Sequence, residues 1–121
     1  MTHDINIHHE DNHESASSYL VGEIRNLLVN SNRDFSIGLS GGNTPKLTYS
    51  MIAEKFDDLS KTFLWTIDDR WIEEDNDLSN QRMINEYFER TDANILKFEF
   101  TSSSPESDAK KYEDKLKSTI Q

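Results

Sequence analysis

Two loops in this sequence carry residue types suited to gripping an oxyanion. The first is Ser40-Gly41-Gly42-Asn43-Thr44-Pro45. Adjacent glycines let a backbone turn sharply and approach a ligand closely. A helix beginning at the end of such a loop offers free N–H groups and the positive end of its dipole. Ser40, Asn43 and Thr44 add side-chain donors, and Lys46 adds a charge in the first helical turn. These features suit a phosphate dianion. They equally suit a strand–helix turn that needs two flexible residues and a cap. The Gly-Lys-Ser/Thr ending of a P-loop is absent, as is a G-x-G-x-x-G dinucleotide fingerprint.

The second loop is Asp68-Asp69-Arg70-Trp71. Arginine binds phosphate in a bidentate fashion, and Asp68 and Asp69 would orient it or take a sugar hydroxyl. The alternative is a surface ion pair of little energetic worth. Trp71 reads as a packing lid. Ser79-Asn80-Gln81-Arg82 opens the following helix, either as a simple cap or, through Asn80, as a second wall of the same pocket. His3, His8, His9 and His13 cluster loosely near the start of the chain. Although His9 and His13 stand four apart, they read as exposed histidines, and no metal site is assigned. Glu73, Glu74, Asp75 and Asp77 read as a solvated acidic face.

The elements that must hold these loops follow from periodicity. Ile5–His8 alternates and predicts a short first strand. Ala16, Tyr19, Leu20, Ile24, Leu27 and Leu28 predict a helix over 12–29. Phe35–Leu39 predicts a buried strand. Thr44 as N-cap and Pro45 as first residue then open a helix with Leu47, Met51, Ile52 and Phe56 inward. Thr62–Ile67 predicts a strand, Ser79 caps a helix over 80–88, and Asn94–Phe100 predicts a fourth strand. Ser104 and Pro105 open a last helix with Ala109, Tyr112 and Leu116 on one face. The order β-α-β-α-β-α-β-α implies an α/β fold, a parallel sheet with helices on both faces. In such sheets ligands bind beyond the carboxyl ends of strands, where both loops fall.

A length of 121 residues fits one domain. The net charge of −10, from 23 acidic and 13 basic residues without a basic cluster, argues against nucleic acid and anionic membranes as partners. An anionic ligand therefore needs a local positive patch. The chain has no cysteine, which excludes disulfides and thiolate metal sites. No apolar run approaches the ~18 residues of a membrane span, and no signal-peptide pattern opens the chain. A cytoplasmic location is the expectation.

Three motifs stand in order: S-G-G-N-T-P at 40–45, D-D-R-W-I at 68–72 and D-L-S-N-Q-R at 77–82. The set resembles the 6-phosphogluconolactonase family, which groups with the glucosamine-6-phosphate isomerases/deaminases. Its corresponding motifs are S-G-G-S-T-P, D-E-R-x-V and D-x-S-N. Ala109-Lys110-Lys111-Tyr112-Glu113-Asp114-Lys115-Leu116 is similar to the family's A-x-x-Y-E-x-x-L helix. The deaminase branch has T-G-S-T-P and M-D-E-Y instead, so Gly41-Gly42 and Arg70 favour the lactonase. Asp69 stands where the family has Glu, and Asn43 where it commonly has Ser.

The resemblance implies half of a NagB/RpiA-like Rossmann-type domain. The implied reaction is hydrolysis of 6-phosphoglucono-1,5-lactone to 6-phosphogluconate, without cofactor or metal. The ligand is then a sugar phosphate held by Ser40, Gly41, Gly42, Asn43, Thr44, Asp68, Asp69, Arg70 and Asn80. The family's base is the His of a G-x-D-G-H-x-A-S-L-F-P motif. This sequence lacks that motif, and all four of its histidines precede residue 14. The base is expected from a C-terminal half, and the chain would be a fragment, a truncated product or one part of a split enzyme. Self-association or that complementing half is the expected macromolecular partner. An amino-sugar-phosphate isomerase/deaminase and a non-catalytic sugar-phosphate-binding module remain the alternatives.

Overall fold

In the computed structural model, residues 4–31 and 33–120 are described. The elements run α1 (His13–Val29), β1 (Phe35–Leu39), α2 (Lys46–Lys55), β2 (Thr62–Thr66), α3 (Asn80–Phe88), β3 (Asn94–Leu96) and α4 (Pro105–Thr119). The three strands form one parallel sheet in the order β1-β2-β3. This is the parallel α/β arrangement that the alternation of elements implies.

Phe35, Ile37 and Leu39 pair with Thr62, Leu64 and Thr66, and Leu64 pairs onward with Ile95. Those positions share one face of the sheet, because side chains alternate along a strand. Leu39 and Leu64 meet Val21 of α1, Tyr49 and Ile52 of α2, and Ile84 and Phe88 of α3 in a single core. Leu59, in the turn before β2, closes it. Burial of each such side chain contributes roughly 1.5–3 kcal/mol.

Local chemistry explains the helix starts. Asn12 caps α1 by accepting from Ser15 N at 2.8 Å. Ser79 caps α3 by accepting from Arg82 N at 3.1 Å. Ser104 caps α4 by accepting from Ser107 N at 3.0 Å, with Pro105 in its first turn. At α2 the structure corrects the expectation. The helix begins at Lys46 with Pro45 in the cap position, and no side-chain cap bond is made. Pro45 already has helical dihedrals, φ −83° and ψ −4°, and its carbonyl accepts from Tyr49 N at 3.0 Å. Thr44 is therefore one residue too early to cap.

Ile5–His8 forms no strand. Ile5 and Ile7 are 84% and 75% exposed, and no neighbour among the described residues supplies the ladder that a strand requires. The last strand is also shorter than its apolar pattern, ending at Leu96 rather than Phe100. Side chains intercept the backbone there. Phe98 N donates to Gln81 Oε1 at 2.9 Å, and Thr101 N donates to Asp108 Oδ2 at 2.8 Å. On β2, Thr66 N donates to the Tyr112 hydroxyl at 2.9 Å, and that hydroxyl donates back to Thr66 O at 2.9 Å. One phenol from α4 thus takes the place of the next rung.

The inward faces of three helices also shift. On α1, Ser17 and Val21 are buried, with Ile24 and Leu28 packed against the core, while Tyr19, Leu20 and Leu27 are exposed. On α2 the buried residues are Thr48, Tyr49 and Ile52, with Met51 and Phe56 half-buried beside them. On α4 the buried residue is Asp108, while Ala109 is exposed.

Asp108 accepts from Thr101 N, Thr101 Oγ1 and, at 3.0 Å, the Trp71 indole N–H. The bonds from Thr101, backbone first, and then from Trp71 hold its carboxyl below the usual aspartate range. A carboxyl depressed in the folded state adds stability above its unfolded pKa, about 3.9, and loses it as pH falls through the folded value. Thermal melts should therefore show stability declining below about pH 4. Asp108→Asn should be less stable at neutral pH, with a shallower acid limb. An identical acid limb in both proteins would exclude this role.

Candidate functional site

The two glycine- and arginine-bearing loops leave neighbouring parallel strands, so both emerge at the same end of the sheet. Leu39 O accepts from Ile67 N at 3.0 Å, carrying the pairing to the point where both loops begin. The contact between them is close. A methyl group on Gly41 would lie 2.0 Å from Asn80 Oδ1, so only glycine lets Asn80 cross there. Asn80 Nδ2 in turn donates to Asp68 O at 2.9 Å. Gly42 has φ +90°, the left-handed region where glycine is unstrained.

Seven of the nine predicted ligand residues line one open depression of about 460 Å³: Ser40, Gly41, Gly42, Asp68, Asp69, Arg70 and Asn80. Asn43 lines an adjoining cavity of about 290 Å³ with Gly42, Lys46, Arg70, Asn80 and Arg82. Thr44 is not brought to either. It borders a separate groove along β1 with Pro45 and Thr48.

The charges in this cavity are unequally committed. Arg82 is bound to Asp77, to Glu86 at 2.9 Å and to Asp75 O at 2.7 Å. Its pKa is raised, chiefly by the hydrogen bond to Glu86. The Arg70 guanidinium donates only to Leu78 O at 2.9 Å and makes no ion pair among the described residues. The Lys46 side chain makes no polar contact among them and lies at the first residue of α2. Three cations thus face two carboxylates, Asp77 and Glu86, and the two uncommitted cations are Lys46 and Arg70. A local positive patch exists within a strongly acidic chain.

Asp69 does something its local sequence does not reveal. Its carboxylate accepts from Arg70 N at 2.8 Å, Asn80 N at 2.7 Å and Gln81 N at 3.0 Å. It occupies the N-terminus of α3 across 11 residues of chain and ties the second loop to that helix. The start of α2, by contrast, has no acid in its first turn.

Tyr49, on the buried face of α2, also serves the first loop. Its hydroxyl donates to Ser40 O at 2.7 Å and fixes the first loop from below. Burial raises its pKa. The signal was its place one turn after Pro45, on the buried side of α2. Trp71 packs on Phe100 with ring centroids 5.1 Å apart. Together with its bond to Asp108, this makes it part of the fold. Of the described histidines, His8 contacts Glu10 and His13 borders the β1 groove. His3 lies outside the described residues. None lines either cavity.

Gly41→Ala should separate the two loops by forcing Asn80 aside, a strain of roughly 1–3 kcal/mol. Calorimetric titration should show at least a tenfold loss of affinity for a sugar phosphate. Unchanged affinity would mean that the loops act independently.

Residues 8–121 match the family described as glucosamine-6-phosphate isomerases/6-phosphogluconolactonase. The chain is 34% identical over 90 residues to a 6-phosphogluconolactonase of Synechocystis, covering 71% of this chain and 38% of that protein. Among solved structures, a 6-phosphogluconolactonase from Shewanella baltica aligns with a TM-score of 0.82 at 24% identity, over 93% of this chain and 50% of that one. The 6-phosphogluconolactonase from Thermotoga maritima aligns with a TM-score of 0.77 at 26% identity, over 90% of this chain and 51% of that one. A monomeric glucosamine-6-phosphate deaminase also shares the fold, with a TM-score of 0.73 at 17% identity. The chain spans about half the length of these solved relatives or less. With its motifs in order and its sheet superposing on theirs, the chain belongs to the glucosamine-6-phosphate isomerase/6-phosphogluconolactonase family.

Proposed function

We propose that this chain is the phosphate-binding half of a 6-phosphogluconolactonase, an enzyme that hydrolyses 6-phosphoglucono-1,5-lactone to 6-phosphogluconate. The observation that carries the reading is the close approach of the Gly41 and Asn80 loops, with Lys46 and Arg70 uncommitted between them. The 6-phosphate of the substrate takes the backbone N–H groups of residues 41–43 and the Arg70 guanidinium. Two or more charge-assisted bonds to a phosphate fix the sugar's orientation as well as its affinity.

The chemical step needs water to attack the lactone carbonyl while a base removes its proton. Donors must then stabilise the oxyanion. Neither cavity is lined by a histidine among the described residues, and the base is assigned to the part of the family domain that these residues do not span. The ring oxygen leaves as the C–O bond breaks and takes a proton, giving the carboxylate. Asp69, whose oxygens are engaged by three N–H groups, orders the loop and is not the base.

Titration separates the readings. The chain alone should bind 6-phosphogluconate saturably, bind gluconate at least tenfold more weakly, and leave the lactone unhydrolysed above its spontaneous rate. Equal binding of gluconate would remove the phosphate site. Ammonia release from glucosamine-6-phosphate would assign the chain to the deaminase branch.

A further inference from the structure

The cations of the anion site belong to a chain of net charge −10, so the protein's own carboxylates compete for them. Two carboxylates, Asp77 and Glu86, line the cavity that holds Lys46 and Arg70. Asp77 is the closer competitor along the chain. The Arg70 guanidinium rests on Leu78 O at 2.9 Å, and the Cα atoms of Asp77 and Leu78, being consecutive, stand about 3.8 Å apart. The Asp77 side chain is 93% exposed, so packing does not fix its direction. An acid in that position, left to itself, is drawn to the nearest cation.

Arg82 supplies the restraint. Its Nε donates to Glu86 Oε1 at 2.9 Å, and its Nη1 donates to Asp77 Oδ1 and to Asp75 O. Glu86 lies one turn further along α3, whereas Asp75 and Asp77 belong to the loop before that helix. One guanidinium thus bridges helix and loop, which its fork of donors allows and a lysine ammonium, a point charge, does not. Ion pairs as exposed as these contribute little to stability. Their consequence is for the distribution of charge in the cavity. Both acids have a cationic partner, while Lys46 and Arg70 have no acidic one among the described residues. Arg82 does not line the depression formed by Ser40, Gly41 and Asp69, so the proposed phosphate contacts do not include it.

We propose that Arg82 is a positioning residue for the anion site: it holds Asp77 and Glu86 away from Lys46 and Arg70, and so leaves those two cations free for a phosphate. The inference rests on the function proposed above and adds to it a residue that touches no substrate. When Arg82 is removed, Asp77 is released beside the Arg70 guanidinium and Glu86 is released across the cavity from Lys46. A phosphate must then displace an internal carboxylate before it binds.

The test is a mutant cycle on the full chain, read by calorimetric titration with 6-phosphogluconate at low ionic strength. Arg82→Ala should bind at least tenfold more weakly than wild type. Adding Asp77→Asn and Glu86→Gln to Arg82→Ala should restore at least fivefold of that loss, although this triple variant still lacks the bridge between helix and loop. In the wild-type background the same two acid substitutions should change affinity less than threefold. Wild-type affinity in Arg82→Ala overturns the proposal. A triple variant as weak as Arg82→Ala also overturns it, and makes Arg82 a ligand or a loop anchor. Equal gains from the acid substitutions in both backgrounds overturn it as well, because independent sites add and coupled ones do not. A second readout requires no ligand. The Arg70 Nε–H signal in NMR of the free chain should move in Arg82→Ala and return in the triple variant. Failure of wild type and every variant to bind 6-phosphogluconate would remove the phosphate reading, whereas an Arg70 signal that stays fixed throughout would remove the role of Arg82.

Discussion

Arg70→Ala should weaken 6-phosphogluconate binding by about 10- to 100-fold with almost no change in melting temperature. The guanidinium is exposed, makes one bond to Leu78 O and has no carboxylate partner among the described residues. Leu78 O is free to turn to water when that bond is lost, and surface substitutions of this kind usually stay within about 0.5 kcal/mol of neutral. Hydrogen bonds between charged groups contribute roughly 1.5–3 kcal/mol, which sets the expected loss of affinity. Arg70→Lys should recover part of it, since the charge remains and the bidentate geometry does not. The salt dependence should fall as well, because one screened attraction has gone. Wild-type affinity in Arg70→Ala would remove the guanidinium from the site.

Asp69→Ala should have the opposite profile, with a large loss of stability that carries binding down with it. Three backbone N–H groups lose one carboxylate, and two of them belong to the first turn of α3. The expected cost is roughly 2–3 kcal/mol, or a fall in melting temperature on the order of 10 °C. Electrostatics alone predicts the reverse for binding, because a negative charge near the anion site has been removed. At a separation on the order of 7 Å in water, that repulsion is only about 1 kcal/mol for a dianion before salt screening. Losing the loop's attachment to α3 outweighs it, so 6-phosphogluconate affinity should fall. Tighter binding in Asp69→Ala, with an unchanged melt, would show that Asp69 acts only as a charge.

These two residues also show what was legible in the sequence. The pairing of a Gly-Gly turn with an arginine at the next strand's end was readable, because both are local consequences of strand–helix alternation. The parallel sheet, the start of α3 at Ser79-Asn80 and the start of α4 at Ser104-Pro105 were readable for the same reason. Asp69 was read as a partner for Arg70 or for a sugar hydroxyl. Its engagement with the first turn of α3 lies across 11 residues, beyond the reach of capping rules that scan a few positions.

The same limit explains β3. Ile95, Phe98 and Phe100 do alternate, but Gln81, Asp108 and Tyr112 supply the hydrogen bonds that a strand partner would otherwise give. Apolar spacing cannot distinguish a backbone acceptor from a side-chain one. Ile5–His8 fails for a complementary reason, since alternation is present but no ladder meets it. Asp108 left a trace that was missed. It stands four residues before Tyr112 and eight before Leu116, an acid placed in the apolar register of its own helix.

The central claim is that a sugar phosphate is held between the Gly41-Gly42 turn and Arg70. The most direct measurement is amide and arginine side-chain NMR of the full chain during titration with 6-phosphogluconate, with the ³¹P signal followed in parallel. The predicted result is saturable movement of Gly41, Gly42, Asn43 and the Arg70 guanidinium with one affinity, shared by the ³¹P shift. Movement confined to residues away from both loops, or a ³¹P signal that never moves, would contradict it.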